Sequence, residues 1–405
     1  MFKTSSRRPS SRVRTFVSDT AKTFAVKRQS QPPKIKSSTM KMDQLVKKAQ
    51  PIEEIDYQPG RSFREMDLHP RLKENIHLKK YEYPTEIQEK TIDHILAGQD
   101  VLGIAQTGTG KTAAFLIPII QQLLTQQDPF QTLVLVPTRE LALQIEEEFK
   151  TLSLHLNLSY ATLIGGTSVG RDVRKLQRTH HLIIGTPGRI EDLAGQGVLK
   201  LHQFSKLVLD EFDRMLDIGF APAVTRIIRA IPKRTQTVLF SATLDPNQRH
   251  LIQNILNAPA EVMVSSGQVT GEHIDQDVIR LAQGENKLEV LIRLLKNKDM
   301  QKTIVFAETK RTVKQLCVRL NRAGIQADAL HGDKTQNNRT KTLDRFRQNR
   351  LSVLVATDVA ARGLDIDNVT HVINYQVPRT FESYLHRIGR TGRAGKAGKA
   401  LTLVE

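Results

Sequence analysis

Short apolar runs alternate with amphipathic stretches along most of this chain, and that alternation limits what it can fold into more than any other feature. Residues 101–105, 133–136, 160–164, 182–184, 207–210 and 238–240 are largely apolar and read as strands. Helical spacing marks segments between them, such as 140–149 and 221–231. Strands alternating with helices give βαβ units, and strands lacking a polar face belong in a parallel sheet covered on both sides. The pattern breaks at 265–272, a polar stretch with two glycines, and then resumes. Strands are expected at 303–306, 327–330, 353–356, 372–374 and 401–404, with a helix at 312–321. Two α/β domains in tandem follow, at 61–264 and 276–405, joined by a linker at 265–275 and inviting a cleft between them. Residues 39–60 read as a linker or extension, and 1–38 as a disordered basic tail.

Charge narrows the partners. The 405 residues carry 60 Lys and Arg against 42 Asp and Glu, a formal net charge of +18. Such a balance points to a polyanion, either nucleic acid or an acidic membrane surface. Half of the excess lies in residues 1–38, which hold ten basic residues and one acid, Asp19. That tail suits a low-specificity nucleic-acid arm, with a transit peptide or a merely solvated segment as the other readings. Cys317 is the lone cysteine, which excludes an intrachain disulfide and a cysteine-based zinc framework and fits a reducing compartment. No apolar run approaches about 18 residues, and the N-terminus lacks the apolar core of a secretory signal. No membrane partner is expected, and the expected compartment is the cytoplasm.

The strand at 101–105 runs into Gln106-Thr107-Gly108-Thr109-Gly110-Lys111-Thr112, and a helix with Phe115, Leu116, Ile119 and Leu123 on one side follows. Strand, glycine-rich loop and helix are the context of a phosphate-binding loop. The glycines let several N–H groups turn toward one phosphate, and the helix N-terminus adds its positive end. Lys111 offers a point charge to the β- and γ-phosphates of a nucleotide, and Thr112 offers a hydroxyl to Mg²⁺. Ala105 stands at the first glycine position of the general pattern. A second strand ends in Asp210-Glu211, at the sheet edge where ligands bind in such folds. Asp210 is expected to hold Mg²⁺ through its water shell, and Glu211 to orient and deprotonate an attacking water.

Together with that loop, Asp210-Glu211-Phe212-Asp213 resembles motif II of the DEAD-box ATP-dependent RNA helicases. Further motifs follow in that family's order. Tyr81-Glu82-Tyr83-Pro84-Thr85-Glu86-Ile87-Gln88 resembles its adenine-reading Q motif, with Phe63 as the isolated upstream aromatic. Pro137-Thr138-Arg139-Glu140-Leu141-Ala142, Gly165-Gly166 and Thr186-Pro187-Gly188-Arg189 resemble its RNA-contacting motifs, and Ser241-Ala242-Thr243 the motif that couples hydrolysis to unwinding. In the second unit, Ile304-Val305-Phe306-Ala307, Gln336-Asn337-Asn338-Arg339, the run from Ala356 to Asp365 and the run from His386 to Arg393 resemble its remaining motifs. The resemblance covers roughly residues 61–405 and implies two tandem RecA-like domains. Phe212 replaces the family's alanine and is read as a packing substitution; Lys80 and Gln376 also depart from the usual pattern.

The resemblance implies roles. Gln88 would match the adenine edge with its amide and Tyr81 would stack on the base, although core packing is the plain alternative for Tyr81 and Phe63. Thr107, Gly108, Thr109, Gly110, Lys111 and Thr112 would cradle the phosphates, and Asp365 would reach the ribose. Arg390 and Arg393 would act as arginine fingers, completing the site only when the two domains close. Asp213, Ser241, Thr243 and His386 would couple the domains. Arg139, Thr186, Arg189, Arg339 and Thr357 would donate to RNA, while Gly165, Gly166, Gly188 and Gly363 would let its backbone approach. Such contacts fall on phosphate and 2′-hydroxyl groups, so RNA binding is expected to be largely independent of sequence and steeply salt-dependent. The implied activity is RNA-stimulated ATP hydrolysis with ATP and Mg²⁺, coupled to local unwinding of short duplexes. The rivals are a DNA translocase and an ATP-gated RNA clamp whose turnover is incidental. A monomer is the expected state.

Overall fold

The computed structural model describes residues 45–48, 57–106, 108–125, 131–244, 246–264, 274–361, 366, 368–392 and 398–405. The expectations for the tail and for Thr107, Gly363, Asp365 and Arg393 lie outside the described residues.

Two parallel sheets organise the chain. The first contains β1 (Val101–Ile104), β2 (Gln131–Leu135), β3 (Tyr160–Leu163), β4 (Leu182–Gly185), β5 (Phe204–Leu209), β6 (Gln236–Ser241) and β7 (Ala260–Met263). Their spatial order is β3-β4-β2-β5-β6-β1-β7. The connecting helices are α1 (Pro70–Leu78), α2 (Glu86–Leu96), α3 (Lys111–Thr125), α4 (Arg139–Leu152), α5 (Val169–Lys175), α6 (Pro187–Gly195), α7 (Phe212–Asp217), α8 (Ala221–Arg229) and α9 (Pro246–Gln253). The second sheet contains β8 (Ile274–Arg280), β9 (Thr303–Phe306), β10 (Ala327–Leu330), β11 (Val353–Ala356), β12 (His371–Asn374) and β13 (Gly398–Val404), ordered β10-β11-β9-β12-β13-β8. Its helices are α10 (Lys287–Leu295), α11 (Lys310–Arg322), α12 (Gln336–Arg347), α13 (Asp358–Ala361) and α14 (Phe381–Ile388).

Each sheet is covered on both faces, as strands without a polar side require. Val101, Val134, Val208 and Val238 enter one core, while their neighbours Leu102, Leu133, Leu207 and Leu239 enter another on the opposite face. The second sheet repeats the device, with Val305, Val353 and Ile373 on one side and Ile304, Leu354 and Val372 on the other. At about 1.5–3 kcal/mol per fully buried aliphatic side chain, these layers are what hold the strand ends rigid. Those ends matter, because β1, β5 and β6 deliver the phosphate loop, Asp210 and Ser241 to one edge of the first sheet.

The expected strands at 303–306, 327–330 and 353–356 form over those same residues. Two strands were not expected, β7 and β8, each at the edge of its sheet. Edge strands carry polar side chains that weaken the apolar signal. In β8 the run Asp275-Gln276-Asp277 hides the strand.

Candidate nucleotide site and interlobe contacts

The phosphate loop leaves β1 through Ala105, whose N–H donates to the Ser241 carbonyl on β6 at 3.0 Å. Gly108 and Gly110 have φ of +88° and +90°, a backbone region that side chains resist. The Thr109 hydroxyl donates to the Gln106 carbonyl at 2.8 Å, and the buried Lys111 ammonium donates to the Ala105 carbonyl at 2.8 Å. Lys111 and the half-buried Thr112 open α3.

The Q-motif segment is fastened to this loop. Gln88 is the third residue of α2 and accepts from the Thr85 N–H at 2.9 Å. Its amide nitrogen donates to the Gly110 carbonyl at 3.0 Å, and the Thr85 hydroxyl donates to the Thr109 carbonyl at 2.8 Å. A Cβ on Gly110 would lie 2.4 Å from that amide nitrogen, so any side chain there would push Gln88 off its brace, besides straining the φ. Gln88 therefore serves as a helix cap and a loop brace in this structure, with one N–H and one lone pair left over. Phe63 is 2% exposed and belongs to the core of the first lobe, so packing is the role its position gives it. The Tyr81 hydroxyl donates to Glu148 on α4 at 3.0 Å, and burial together with the Glu148 charge pushes its ionisation upward.

Motif II sits at the end of β5. Asp210 is fully buried, and burial raises its carboxyl to about 6 against the pull of Lys111. Glu211 stands on left-handed backbone with φ of 52° and ψ of 52°. Burial works against its ionisation, but Arg214, Lys111 and Arg390 outweigh it and hold the carboxyl below its ordinary value. Arg214 donates to Glu211 Oε2 at 2.5 Å from one turn further along α7. Sequence reasoning passed over Arg214; its i,i+3 spacing from Glu211 was the available signal. Phe212 is wholly buried in the core beneath the sheet, the space its substitution for alanine fills.

Asp213 faces β6 instead of the loop. Its carboxylate accepts from the Ala242 N–H at 3.2 Å and the Thr243 hydroxyl at 3.3 Å, while its own N–H donates to Ser241 Oγ at 3.3 Å. The Ser241 hydroxyl donates to the Thr243 carbonyl at 2.7 Å. The tetrad and the Ser-Ala-Thr segment thus share one hydrogen-bonded cluster.

The second lobe reaches this edge through the residues after α14. Arg390 is buried, its Nε donates to the His386 carbonyl at 3.2 Å, and its charge bears on Glu211. His386 lines a small pocket with Phe306, Asp358 and Ala361. Arg387 was also passed over. It grips Asp358 with Nε and Nη2 at 2.5 and 2.7 Å and donates from Nη1 to the Gln376 carbonyl at 2.8 Å, fixing α14 against α13. A bidentate grip of this kind orients as well as attracts. The lobes meet at a second place, where Arg339 on α12 donates from Nε to Glu140 on α4 at 2.7 Å. Arg139 Nη1 lies 3.4 Å from Gln336 Oε1.

Two family models match the chain: the DEAD/DEAH box helicase model over residues 85–251 and the helicase conserved C-terminal domain model over 286–395. The ATP-dependent RNA helicase CshA of Limosilactobacillus reuteri is 43% identical over 342 residues, covering 84% of this chain and 69% of the relative. The chain belongs to the DEAD-box helicase family. The CshA of a Bacillus cereus strain is 43% identical over 329 residues, but this DEAD-box chain spans only 62% of that relative's length. Among solved structures, Saccharomyces cerevisiae Dbp5 bound to RNA and ADP BeF3 is 32% identical, with a TM-score of 0.76 over 85% of this chain and 89% of that one.

The expected RNA-facing residues of this DEAD-box chain fall into two groups. Arg139 is half-buried and lies over Gly165 and Gly166; a Cβ on Gly166, whose φ is +76°, would meet its guanidinium at 2.1 Å. Burial, then the neighbouring Arg339 and Arg189, disfavour its charge despite Glu140. Thr186 Oγ1 accepts from the Gly165 N–H at 3.4 Å, Gly188 lies beside Phe220, and Thr357 opens α13. Arg189 and Arg339 differ. Arg189 is buried, ion-paired to Asp172, and donates to the Thr167 carbonyl at 2.9 Å. Through Asp172 and Thr167 Arg189 orders the loop between β3 and α5, and Arg339 joins the lobes, contacts that the motif pattern does not reveal.

Proposed function

We propose that this chain is an ATP-dependent RNA helicase in which RNA-stimulated ATP hydrolysis drives local, non-processive unwinding of short duplexes or remodelling of RNA–protein assemblies. The observation that carries this reading is the environment of Glu211. Its buried carboxylate is held ionised by Arg214 first, then by Lys111 of the phosphate loop, and Arg390 of the other lobe adds its charge when the two lobes meet. The likeness to a nucleotide- and RNA-bound Dbp5 over most of both chains supports such a closed arrangement.

The residues suit ATP with Mg²⁺. The two left-handed glycines turn N–H groups outward, and nothing lies within 4 Å of where a Cβ on Gly108 would stand. Lys111 would exchange the Ala105 carbonyl for phosphate oxygens. Among the described residues no group of three or more His, Cys, Asp or Glu is placed to hold a metal. Mg²⁺ would therefore rely on Asp210 and Thr112 with water and phosphate, the sparse protein coordination this ion favours. When bound, it neutralises charge developing on the transferred phosphoryl group. Glu211 accepts the proton of an attacking water, and Arg390, joined by Arg393, stabilises the charge. Asp213 would carry the change to the Ser241–Thr243 segment through the hydrogen bonds it accepts from Ala242 and Thr243.

RNA is the partner proposed for Arg139, Gly165, Gly166, Thr186, Thr357 and Gly363, through phosphate and 2′-hydroxyl contacts. A monomer in the cytoplasm, with domains at 61–264 and 276–405, completes the reading. Glu211→Gln tests it. Hydrolysis at saturating RNA should fall by roughly 10²–10⁴-fold while ATP binding persists. Wild-type turnover in that variant overturns the catalytic assignment, and equal stimulation by DNA and RNA overturns the choice of partner.

A further inference from the structure

Residues 45–48 lie outside both matched regions, yet they dock on the second lobe. β8 is an edge strand, and an edge offers unpaired backbone groups to any extended segment. Lys47 takes that offer in antiparallel register: its N–H donates to the Gln276 carbonyl at 3.1 Å, and the Gln276 N–H donates to the Lys47 carbonyl at 2.8 Å. Two residues earlier, Leu45 is 1% exposed and enters a separate small core with Ile274, Tyr384, Ile388 and Ala400. The Tyr384 hydroxyl, itself buried, lies 3.0 Å from Gln276 Oε1 and 3.4 Å from the Leu45 carbonyl.

That small core lies behind the arginine finger. Tyr384 and Ile388 are i,i+4 neighbours on one face of α14, and Arg390 follows two residues after the helix ends. Arg390 stays wound onto this end, its N–H donating to the Arg387 carbonyl at 3.1 Å and its Nε to the His386 carbonyl. Ile274 closes the same floor from below, since a Cβ on Gly392 would meet its Cγ1 at 2.8 Å. Leu45 is therefore packed against the two side chains that set the height of α14, and against the strand under the turn that follows.

We propose that residues 45–48 form an added edge strand that positions Arg390, with Leu45 as the positioning residue. The segment that precedes the nucleotide-binding lobe thereby sets the aim of a residue contributed by the other lobe. Leu45 touches no reacting group; it acts through Tyr384, Ile388 and Ile274. The proposal rests on the function proposed above, in which Arg390 serves hydrolysis.

The test uses the full chain, with Leu45→Ala to empty the core and Lys47→Pro to remove the donor to Gln276 without touching that core. At saturating RNA, each should lower kcat by about tenfold, as small misplacements of a catalytic group do. KM for ATP should stay within about twofold, because the phosphate loop is untouched. Leu45→Ile should recover most of the rate. In an Arg390→Ala background, adding Leu45→Ala should cost nothing further, the coupling expected of residues that act as a unit. Equal losses with and without the Arg390 side chain, or a change confined to KM, would overturn the positioning role. Amide hydrogen exchange across residues 381–392 gives a readout independent of turnover, and it should quicken in both variants. Unchanged exchange there overturns the docking itself. Absence of RNA-stimulated hydrolysis in the wild type, with exchange still quickened by Leu45→Ala, would instead sink the proposed function and leave the docking standing.

Discussion

Glu211, the proposed general base, takes its character from the cations around it, Arg214 first. A buried carboxylate left alone would favour its neutral form, and it is the cations around Glu211 that reverse this. Its ionised form therefore contributes stability above the ordinary carboxylate range, and that contribution is lost as pH falls through its lowered folded value. Replacing Arg214 by glutamine keeps a donor but removes the charge, so the value should rise. The acid limb of the RNA-stimulated rate profile should then move to higher pH by about one unit or more, the size of effect an adjacent opposite charge has. A profile carried down through the ordinary carboxylate range, to about pH 4, that does not move would show that Arg214 is structural only. At this scale the sequence was legible where chemistry follows from residue type and motif order, as for Lys111, Asp210 and Asp213. It was illegible where a role depends on a distant partner. Nothing local to Arg189 announces Asp172, and nothing local to Arg387 announces Asp358, 29 positions away.

Elements carry a second lesson, because α2 and the phosphate loop are one mechanical unit. Gln88 caps α2 through Thr85 and braces the loop through Gly110. Gln88→Ala should therefore lower nucleotide-free stability by about 1 kcal/mol, the usual worth of a cap, seen as a lower midpoint in urea unfolding. A residue reserved for the base would leave that midpoint unchanged. The central strands were readable because both of their faces are apolar, which leaves a continuous signal. β7 and β8 escaped because an edge strand needs only one buried face. The 45–48 segment was illegible for a related reason: a single leucine buried against residues more than 200 positions away leaves no periodicity to read.

For the whole molecule, the informative contact is the one between Arg339 and Glu140, both nearly buried. If the lobes were locked, Arg339→Ala would strand a buried carboxylate at a cost of about 3–5 kcal/mol. Lobes free to part can instead return Glu140 to water. The variant should therefore melt close to the wild type, yet show a longer mean distance between fluorophores placed one on each lobe and a rate at saturating RNA lowered by about tenfold, the size of loss that a small misplacement of catalytic groups brings. A large fall in melting temperature with unchanged interlobe distance would mean that the two lobes behave as one rigid block. An ion pair at this junction also gives closure a particular response to heat. Hydration of charged groups becomes less favourable on warming, so the penalty for drying Arg339 and Glu140 falls as temperature rises, whereas an apolar contact gains little. Cooling should thus tip this junction toward its parted form, and warming toward its joined one.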